Sequence, residues 1–436
     1  MTSPALTFPW VGGPLNLNLP EDWNITGVLE PGAMAAVPDA GAATEAALQN
    51  PFGCQRLAEL VKPGQKIALV MDDGSRPTPV AKILPALLQE LHLAGVDTAQ
   101  ITLIPALGVH RPMPLEEIHA RAGTDALAGE NPDCDDPGKM VYLGKTTRGT
   151  PVWVNKTVAE ADLVIAIGCI EPHIIASFGG GYKNLFLGVA GRATIAHNHG
   201  LNCTPATFNM VGQPIEKNPM RLDLEEAGRM LKPTVFIINA VLNSSAEVVR
   251  IVCGDPIAAH REGIKTSASI YGVPVPGLAD VVITASRPMD QDLRQGVKAL
   301  ANTIRALKPR GVMITLVRAD EGVGVFGLAN KKLPIGKGAL RLLAPLLLPL
   351  VPKLKLKGMG EEDKFFLYFA LQAMRRGLLL LYAPTIPAAI HPNLPFVEFV
   401  PSPQEALAVA KARAPQHANV LVFPYGGSTY PILPGK

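Results

Sequence analysis

Three of the nine histidines, a glycine triplet and a lysine fall within residues 170–200, IEPHIIASFGGGYKNLFLGVAGRATIAHNHG. A neutral imidazole is a borderline-soft metal ligand and a base that works near neutrality. A deprotonated lysine amine attacks a carbonyl or thiocarbonyl carbon. Gly179, Gly180 and Gly181 carry no Cβ, so the backbone there approaches a ligand closely. With His173, Lys183, His197 and His199 in one run, the stretch has the donors to hold an organic cofactor and a metal together. A solvated glycine turn with scattered surface histidines is the plain structural alternative.

Three apolar β-like runs deliver further polar groups. Residues 66–71 (KIALVM) lead into Asp72, Asp73, Gly74, Ser75 and Arg76; residues 100–106 lead into Gly108, Val109, His110, Arg111 and Pro112; residues 161–170 lead into Glu171, Pro172 and His173. In open α/β sheets, ligands bind beyond the carboxyl ends of the strands. Asp73, Arg76, His110 and His173 are therefore expected to face one crevice. Helical spacing covers 42–60, 80–93, 114–122, 221–231 and 256–270, and a hairpin is expected over 235–252. The run YGVPVPG at 271–277 breaks the pattern. Beyond it strands at 280–285, 311–318, 378–383 and 419–423 alternate with helices at 291–307, 363–376 and 404–412. This is an α/β protein with mostly parallel sheets flanked by helices. The expected domains are 1–270, a linker at 271–278, and 279–436, with the tail after about Asn419 expected to pack back on the first domain. The active site is expected in the cleft between the two.

Composition narrows the partners. A net charge of +3 over 436 residues gives no polybasic face, which argues against nucleic acid. Five dispersed cysteines without a CxxC pair argue against a disulfide framework or zinc knuckle and suit a reducing compartment. The opening residues show no basic-then-apolar leader, so the expected location is the cytoplasm. The run LLAPLLLPLVP at 342–352 is too short and too proline-rich to span a bilayer. A buried connection or a hydrophobic lid is expected there, ahead of a membrane-surface segment, with Lys353, Lys355 and Lys357 alternating with leucines after it.

Other motifs carry less. Gly322 to Gly327 matches GxGxxG after a strand, but Pro334 interrupts the expected helix and no acid follows about 20 residues on to hold a ribose. Lys183 is followed by Asn184 where a Walker loop has a hydroxyl. His197 and His199 would share a face in an extended segment, and with His173 they make an alternative zinc set around an open position. His92, His119, His260, His391 and His417 lack chemical company and are expected to be surface or core residues.

Four separated blocks together resemble the nickel-dependent lactate racemase family. They are Asp73-x-x-Arg76-Pro77, the block from Gly108 to Pro112, the block from Glu171 through Lys183 to His199, and Pro288-x-Asp290 with Gln295 and Lys298. The intervals of 10 residues from His173 to Lys183 and 16 from Lys183 to His199 match the family's. The resemblance covers most of 66–300. It implies a nickel-pincer nucleotide, a pyridinium mononucleotide whose two sulfur groups and one ring carbon grip nickel, made by separate biosynthesis proteins. It implies Lys183 as covalent tether, the Gly179–Gly181 loop and Asp73 around the cofactor, and His199 as the protein ligand to nickel. It also implies His110 and His173 as the acid/base pair, and Arg76, Gln295 and Lys298 around a small 2-hydroxy acid. Arg294 stands where lactate-active members carry tyrosine, which implies a substrate with a second polar or acidic group. The implied reaction is racemisation or epimerisation at C2 by hydride transfer. A non-catalytic binder of small carboxylates on the same fold is the alternative from another class.

Overall fold

The computed structural model describes residues 5–10, 12–324, 326–330, 332, 335–354 and 361–435, with side chains from 364 onward in the last span. Val325 and Pro334 of the GxGxxG region, and Lys355 and Lys357 of the lysine-leucine alternation, lie outside the described residues. The chain divides into two compact units. One holds Ala33–Leu201 and Gln213–Ile270; the other holds Met1–Gly32, Asn202–Gly212 and Tyr271–Lys436.

The first unit is built on a six-stranded sheet in the order Val248–Gly254, Thr234–Leu242, Leu163–Cys169, Ile67–Asp72, Ile101–Ala106, Ala128–Gly129. Only the first pair is antiparallel, and it is the expected hairpin. Ile67–Asp72 and Leu163–Cys169 are buried at every residue, as parallel strands covered on both faces must be. Helix Val80–Leu93 buries Val80, Ile83, Leu84, Leu87 and Leu91, an apolar stripe at helical spacing that packs into this core. Arg121, on helix Leu115–Ala122, donates to the Asp72 and Arg76 carbonyls at 2.5 and 2.9 Å and so pins the turn after the central strand. The expected helix at 42–60 is two helices, Ala40–Gln49 and Leu57–Leu60, because Asn50, Pro51 and Gly53 interrupt it.

The second unit carries a parallel sheet in the order Glu398–Phe399, Gly377–Tyr382, Leu307–Leu316, Ala279–Ala285, Asn419–Phe423, Asn24–Val28. Two domain expectations are corrected here. Residues 1–32 do not join the first domain: Asn24–Val28 pairs with Asn419–Phe423, and Leu6, Phe8, Leu17, Leu19 and Trp23 sink into the second core. Their alternation, buried at Leu6 and Phe8 and exposed between, is too short to stand out as a period. The tail does not return to the first unit either, since Asn419–Phe423 lies inside the second sheet and Tyr430–Ile432 pairs with Gly272–Pro274.

The leucine-rich run is also corrected. It is neither a buried connection nor proline-broken throughout: helix Lys337–Leu347 contains Pro345 and leaves Leu342 and Leu346 79% and 70% exposed. Among the described residues, no helix is long and apolar enough to cross a membrane.

Ile283 is fully buried in the central strand Ala279–Ala285. Ile283→Ala is expected to cost about 2–5 kcal/mol in urea unfolding, by loss of buried surface and the cavity left behind.

Candidate functional site

The carboxyl ends of three neighbouring strands in the first unit converge as the strand pattern requires. After Ile67–Asp72 come Asp73 and Arg76; after Ile101–Ala106 comes His110; after Leu163–Cys169 comes Glu171. His110 Nδ1 lies 2.6 Å from Asp73 Oδ2. The Asp73 carboxylate also accepts from the Ser75 hydroxyl at 2.6 Å. Against burial, which would raise it, the hydrogen bond and charge of His110 bring the Asp73 carboxyl from 3.8 down to about 2. Because an ionised carboxylate only accepts, His110 carries its proton on Nδ1 and offers Nε2 as the basic nitrogen.

Arg76 forms a 2.8 Å ion pair with Glu171, with both side chains largely buried. Burial alone would lower the guanidinium pKa, and the carboxylates of Glu171 and Asp72 more than reverse it. Asp72 is a buried anchor that accepts from Thr78 Oγ1 at 2.5 Å, the Cys169 N–H at 3.0 Å and Asn184 Nδ2 at 3.0 Å. It thereby ties the central strand to the residue beside Lys183.

Lys183 opens the short helix Lys183–Phe186. Burial first, then the nearby Arg76 and Arg221 cations, lower its amine to about 8, with Asp72 and Glu171 pulling back. The preceding Gly180 and Gly181 have φ of +72° and +59°. A Cβ at Gly180 would come within 2.6 Å of Asn239 Oδ1, so both conformation and space require glycine there. Ser177 also adopts a positive φ of 64°, and its hydroxyl is held by Asn218 Nδ2 at 3.0 Å.

His173 sits in the two-residue strand Pro172–His173, paired with Ser177–Phe178. Its Nδ1 accepts from the N–H groups of Ile175 and Ala176 at 3.3 and 3.2 Å. The neutral ring then carries its proton on Nε2, the reverse of His110.

His197 and His199 do not lie on an extended segment but on helix Arg192–Gly200, where residues two apart point to different sides. His197 Nδ1 is 2.8 Å from Thr150 Oγ1, whose hydroxyl donates to Asp223 at 2.7 Å. That makes His197 part of a structural network. His199 Nδ1 donates to the Ile195 carbonyl at 2.8 Å, leaving Nε2 as the ring's lone-pair nitrogen. Among the described residues no three His, Cys, Asp or Glu side chains are grouped to hold a metal, so the zinc set of His173, His197 and His199 is not assembled.

Gln295 and Lys298 belong to the second unit, in the consecutive helices Leu293–Gly296 and Lys298–Thr303. The Gln295 N–H is capped by Asp292 Oδ1 at 2.7 Å, while its buried Oε1 has no hydrogen-bond partner among the described residues. Arg294 stacks its guanidinium 5.5 Å from the Phe366 ring centroid. The expected helix over 291–307 is thus broken into short turns.

Glu171 stood inside a recognised block without a role, and its pairing with Arg76 is new from the geometry. Asp72, Asn184, Arg121 and Arg221 had no sequence signal beyond adjacency to marked residues.

Comparisons with known proteins show what the chain is similar to. A model of the lactate racemase N-terminal domain matches residues 12–209. Lactate racemase from Lactiplantibacillus plantarum is 30% identical over 394 residues, covering 88% of this chain and 88% of that protein. Lactate racemase from Thermoanaerobacterium thermosaccharolyticum is 32% identical over 286 residues, covering 64% of this chain and 66% of that protein. The lactate racemase apoprotein structure from the same organism superposes with a TM-score of 0.84 at 26% identity, covering 98% of this chain and 100% of that one. A crystal structure of a protein from Thermotoga maritima shares the fold, with a TM-score of 0.67 at 15% identity over 92% of this chain and 100% of that one. The fold is therefore the mixed α/β architecture of these proteins, with mostly parallel sheets flanked by helices. The chain belongs to the lactate racemase family.

A carboxyl with its pKa depressed in the folded protein stabilises the fold at pH values above its unfolded pKa, and that stability is lost as pH falls through the folded one. Asp73 falls from 3.8 to about 2, so its contribution disappears between about pH 4 and pH 2. Urea unfolding measured across that window is expected to show a shallower loss of stability in Asp73→Asn than in the parent protein.

Proposed function

We propose that this chain racemises or epimerises a small 2-hydroxy acid at C2 through reversible hydride transfer, using a nickel-pincer nucleotide. The observation that carries the reading is the Lys183 amine, lowered to about 8 beside a glycine loop and near the Arg76–Glu171 pair, in a chain 30% identical to a lactate racemase over 88% of its length.

The residues fit the cofactor. An amine near neutrality is a usable nucleophile toward a thiocarboxyl carbon, so Lys183 would be the tether. The Gly179–Gly181 loop packs so closely on Cys169, Asn239 and His260 that a Cβ would crowd them, and its backbone would lie on the cofactor side ahead of Lys183, where Asp73 would act by orienting His110. His199 presents a lone-pair nitrogen set by its bond to Ile195 and would be the protein ligand to nickel. With no three-residue donor set among the described residues, the other donors would come from the cofactor's sulfurs. When bound, the group would supply an electrophilic centre that takes hydride from C2 and returns it to either face.

The protein's own part is proton transfer and grip. Removing the C2 hydrogen as a proton would put negative charge beside an anionic carboxylate, so departure as hydride is the easier course. Hydride departure requires the hydroxyl proton to leave as well. His110 Nε2 would accept it, and the Asp73 carboxylate at 2.6 Å from Nδ1 stabilises the imidazolium that forms. His173, with its proton on Nε2, would hydrogen-bond to the oxygen of the planar 2-keto acid as the second member of the pair, and the His110 imidazolium would return the proton as hydride returns to C2. Arg76 would hold the substrate carboxylate, exchanging part of its hold on Glu171 for it. Lys298 and Gln295 are proposed as further substrate-binding residues from their places in the recognised block, Gln295 with an Oε1 that accepts from a hydroxyl. The Arg294 cation over Phe366 favours acids with a second anionic group.

Five cysteines that form no disulfide among the described residues suit a reducing, cytoplasmic setting, where cofactor-biosynthesis proteins would load the enzyme.

Coexpression with a pincer-cofactor pathway tests the reading. The expected results are bound nickel, a mass increment on the peptide carrying Lys183, and interconversion of enantiomers in a chiral assay over lactate, malate, 2-hydroxyglutarate and phenyllactate. Lys183→Ala should lose the increment and the turnover together. Nickel-loaded protein that turns over no 2-hydroxy acid, or turnover in Lys183→Ala, would contradict it. In loaded enzyme, His110→Gln is expected to lower kcat by about 10²- to 10⁴-fold. Arg294→Tyr is expected to shift preference from malate toward lactate, and an unchanged preference removes that role.

A further inference from the structure

A second cation lies beneath the glycine loop, and the proton and substrate chemistry leaves it unused. Arg221, on helix Pro219–Gly228, is 1% exposed. Its Nη1 donates to the Gly180 carbonyl at 2.9 Å, and its Nη2 donates to the carbonyls of Gly179, at 3.2 Å, and of Phe178. His260, also 1% exposed, lies under the same loop with Nε2 2.7 Å from the Gly179 carbonyl. A carbonyl only accepts, so Nε2 carries the His260 proton, and Nδ1 accepts from Arg261 at 3.3 Å. The 3.1 Å approach of Arg221 Nη2 to His260 Nε2 is then two donors meeting on one carbonyl.

Burying a guanidinium costs several kcal/mol unless good geometry offsets it. Here the offset comes from three successive loop carbonyls, with Glu225 acting at longer range. The loop is fixed from the other direction by Asn239 Oδ1, which accepts the Gly181 N–H at 2.9 Å. The Gly180 carbonyl that Arg221 holds also accepts the Lys183 N–H at 3.3 Å. One guanidinium is thus a single bond away from the backbone of the reactive lysine.

We propose that Arg221 is a positioning residue that clamps the Gly179–Gly181 backbone from below and whose charge adds to the share of Lys183 amine in its neutral, nucleophilic form. Burial lowers the Arg221 pKa to about 9, which leaves it a cation at neutral pH. The charged groups acting on Lys183 are Arg76, Asp72, Arg221 and Glu171, and Arg221 is one of the two that favour the neutral amine. The proposal takes from the preceding section only that Lys183 is the group that reacts. Its test uses apoprotein and reads the amine directly, so the fate of the nickel chemistry does not decide it.

Apoprotein of the parent, Arg221→Met and Arg221→Lys is acetylated with an N-hydroxysuccinimide ester across pH 6 to 10, and the Lys183 peptide is quantified by mass. Amide hydrogen exchange is followed at Gly179–Gly181 in parallel. The parent is expected to react with a midpoint near about 8. Arg221→Met should move that midpoint up by about one unit and speed exchange in the loop. Arg221→Lys, which keeps the charge and loses the fork, should hold the midpoint while still speeding exchange. A folded Arg221→Met with an unmoved midpoint overturns the electrostatic half, and unchanged exchange in Arg221→Lys overturns the clamp. Should Arg221→Met fail to fold, a parent midpoint at the ordinary 10.5 overturns the proposal without any variant.

Discussion

A lysine amine held close to neutrality among fixed charges is the constraint on which the rest of the first unit turns. Taken from water, an amine loses its proton readily, but an apolar pocket alone would also strip the site of the anions and cations that substrate chemistry needs. The chain resolves this by balancing the two signs around Lys183. Arg76 and Arg221 push the proton off, while Asp72 and Glu171 keep the cluster near neutral. Asp72 is the joint of the arrangement, because its carboxylate is bonded to Thr78 in the turn, to the Cys169 amide on the next strand and to Asn184 beside the lysine. A fully connected buried network of this kind holds its members in one geometry, and losing a single partner leaves a charge stranded.

The two histidines proposed as the acid/base pair are not equivalent. His110 is set by a carboxylate to present a basic Nε2, and His173 is set by two backbone amides to present Nε2–H. One is ready to take a proton and the other to donate a hydrogen bond. For a reaction in which the hydroxyl proton leaves and returns at one oxygen, one ring that takes the proton and one that holds the oxygen by a hydrogen bond divide the work between them. The proposed chemistry therefore follows from where backbone and carboxylate partners place ring protons, as much as from the identity of the rings.

Much of this was legible in the sequence, for definite reasons. The strands Ile67–Asp72, Ile101–Ala106 and Leu163–Cys169 are near-continuous apolar runs, and the polar residues at their carboxyl ends stand out against them. Asp73, Arg76, His110 and His173 were thus expected to face one crevice, and the first three do follow neighbouring strands. What stayed hidden was long-range or locally ambiguous. Asn24–Val28 joins a strand almost four hundred residues later in the chain, which no local period announces. His197 and His199 would share a face only in an extended segment, and the backbone instead closes into a helix that parts them. Arg221 sits on a helix among acidic neighbours and looks like a surface residue, and only the fold shows its guanidinium under the glycines.

The most direct test of the account is nickel X-ray absorption on cofactor-loaded protein, compared with His199→Ala. The account predicts sulfur scatterers from the cofactor together with imidazole scattering from a histidine in the parent protein, and loss of the imidazole signal with sulfur retained in the variant. A nickel shell of several imidazoles without sulfur, or one unchanged by removing His199, would contradict it.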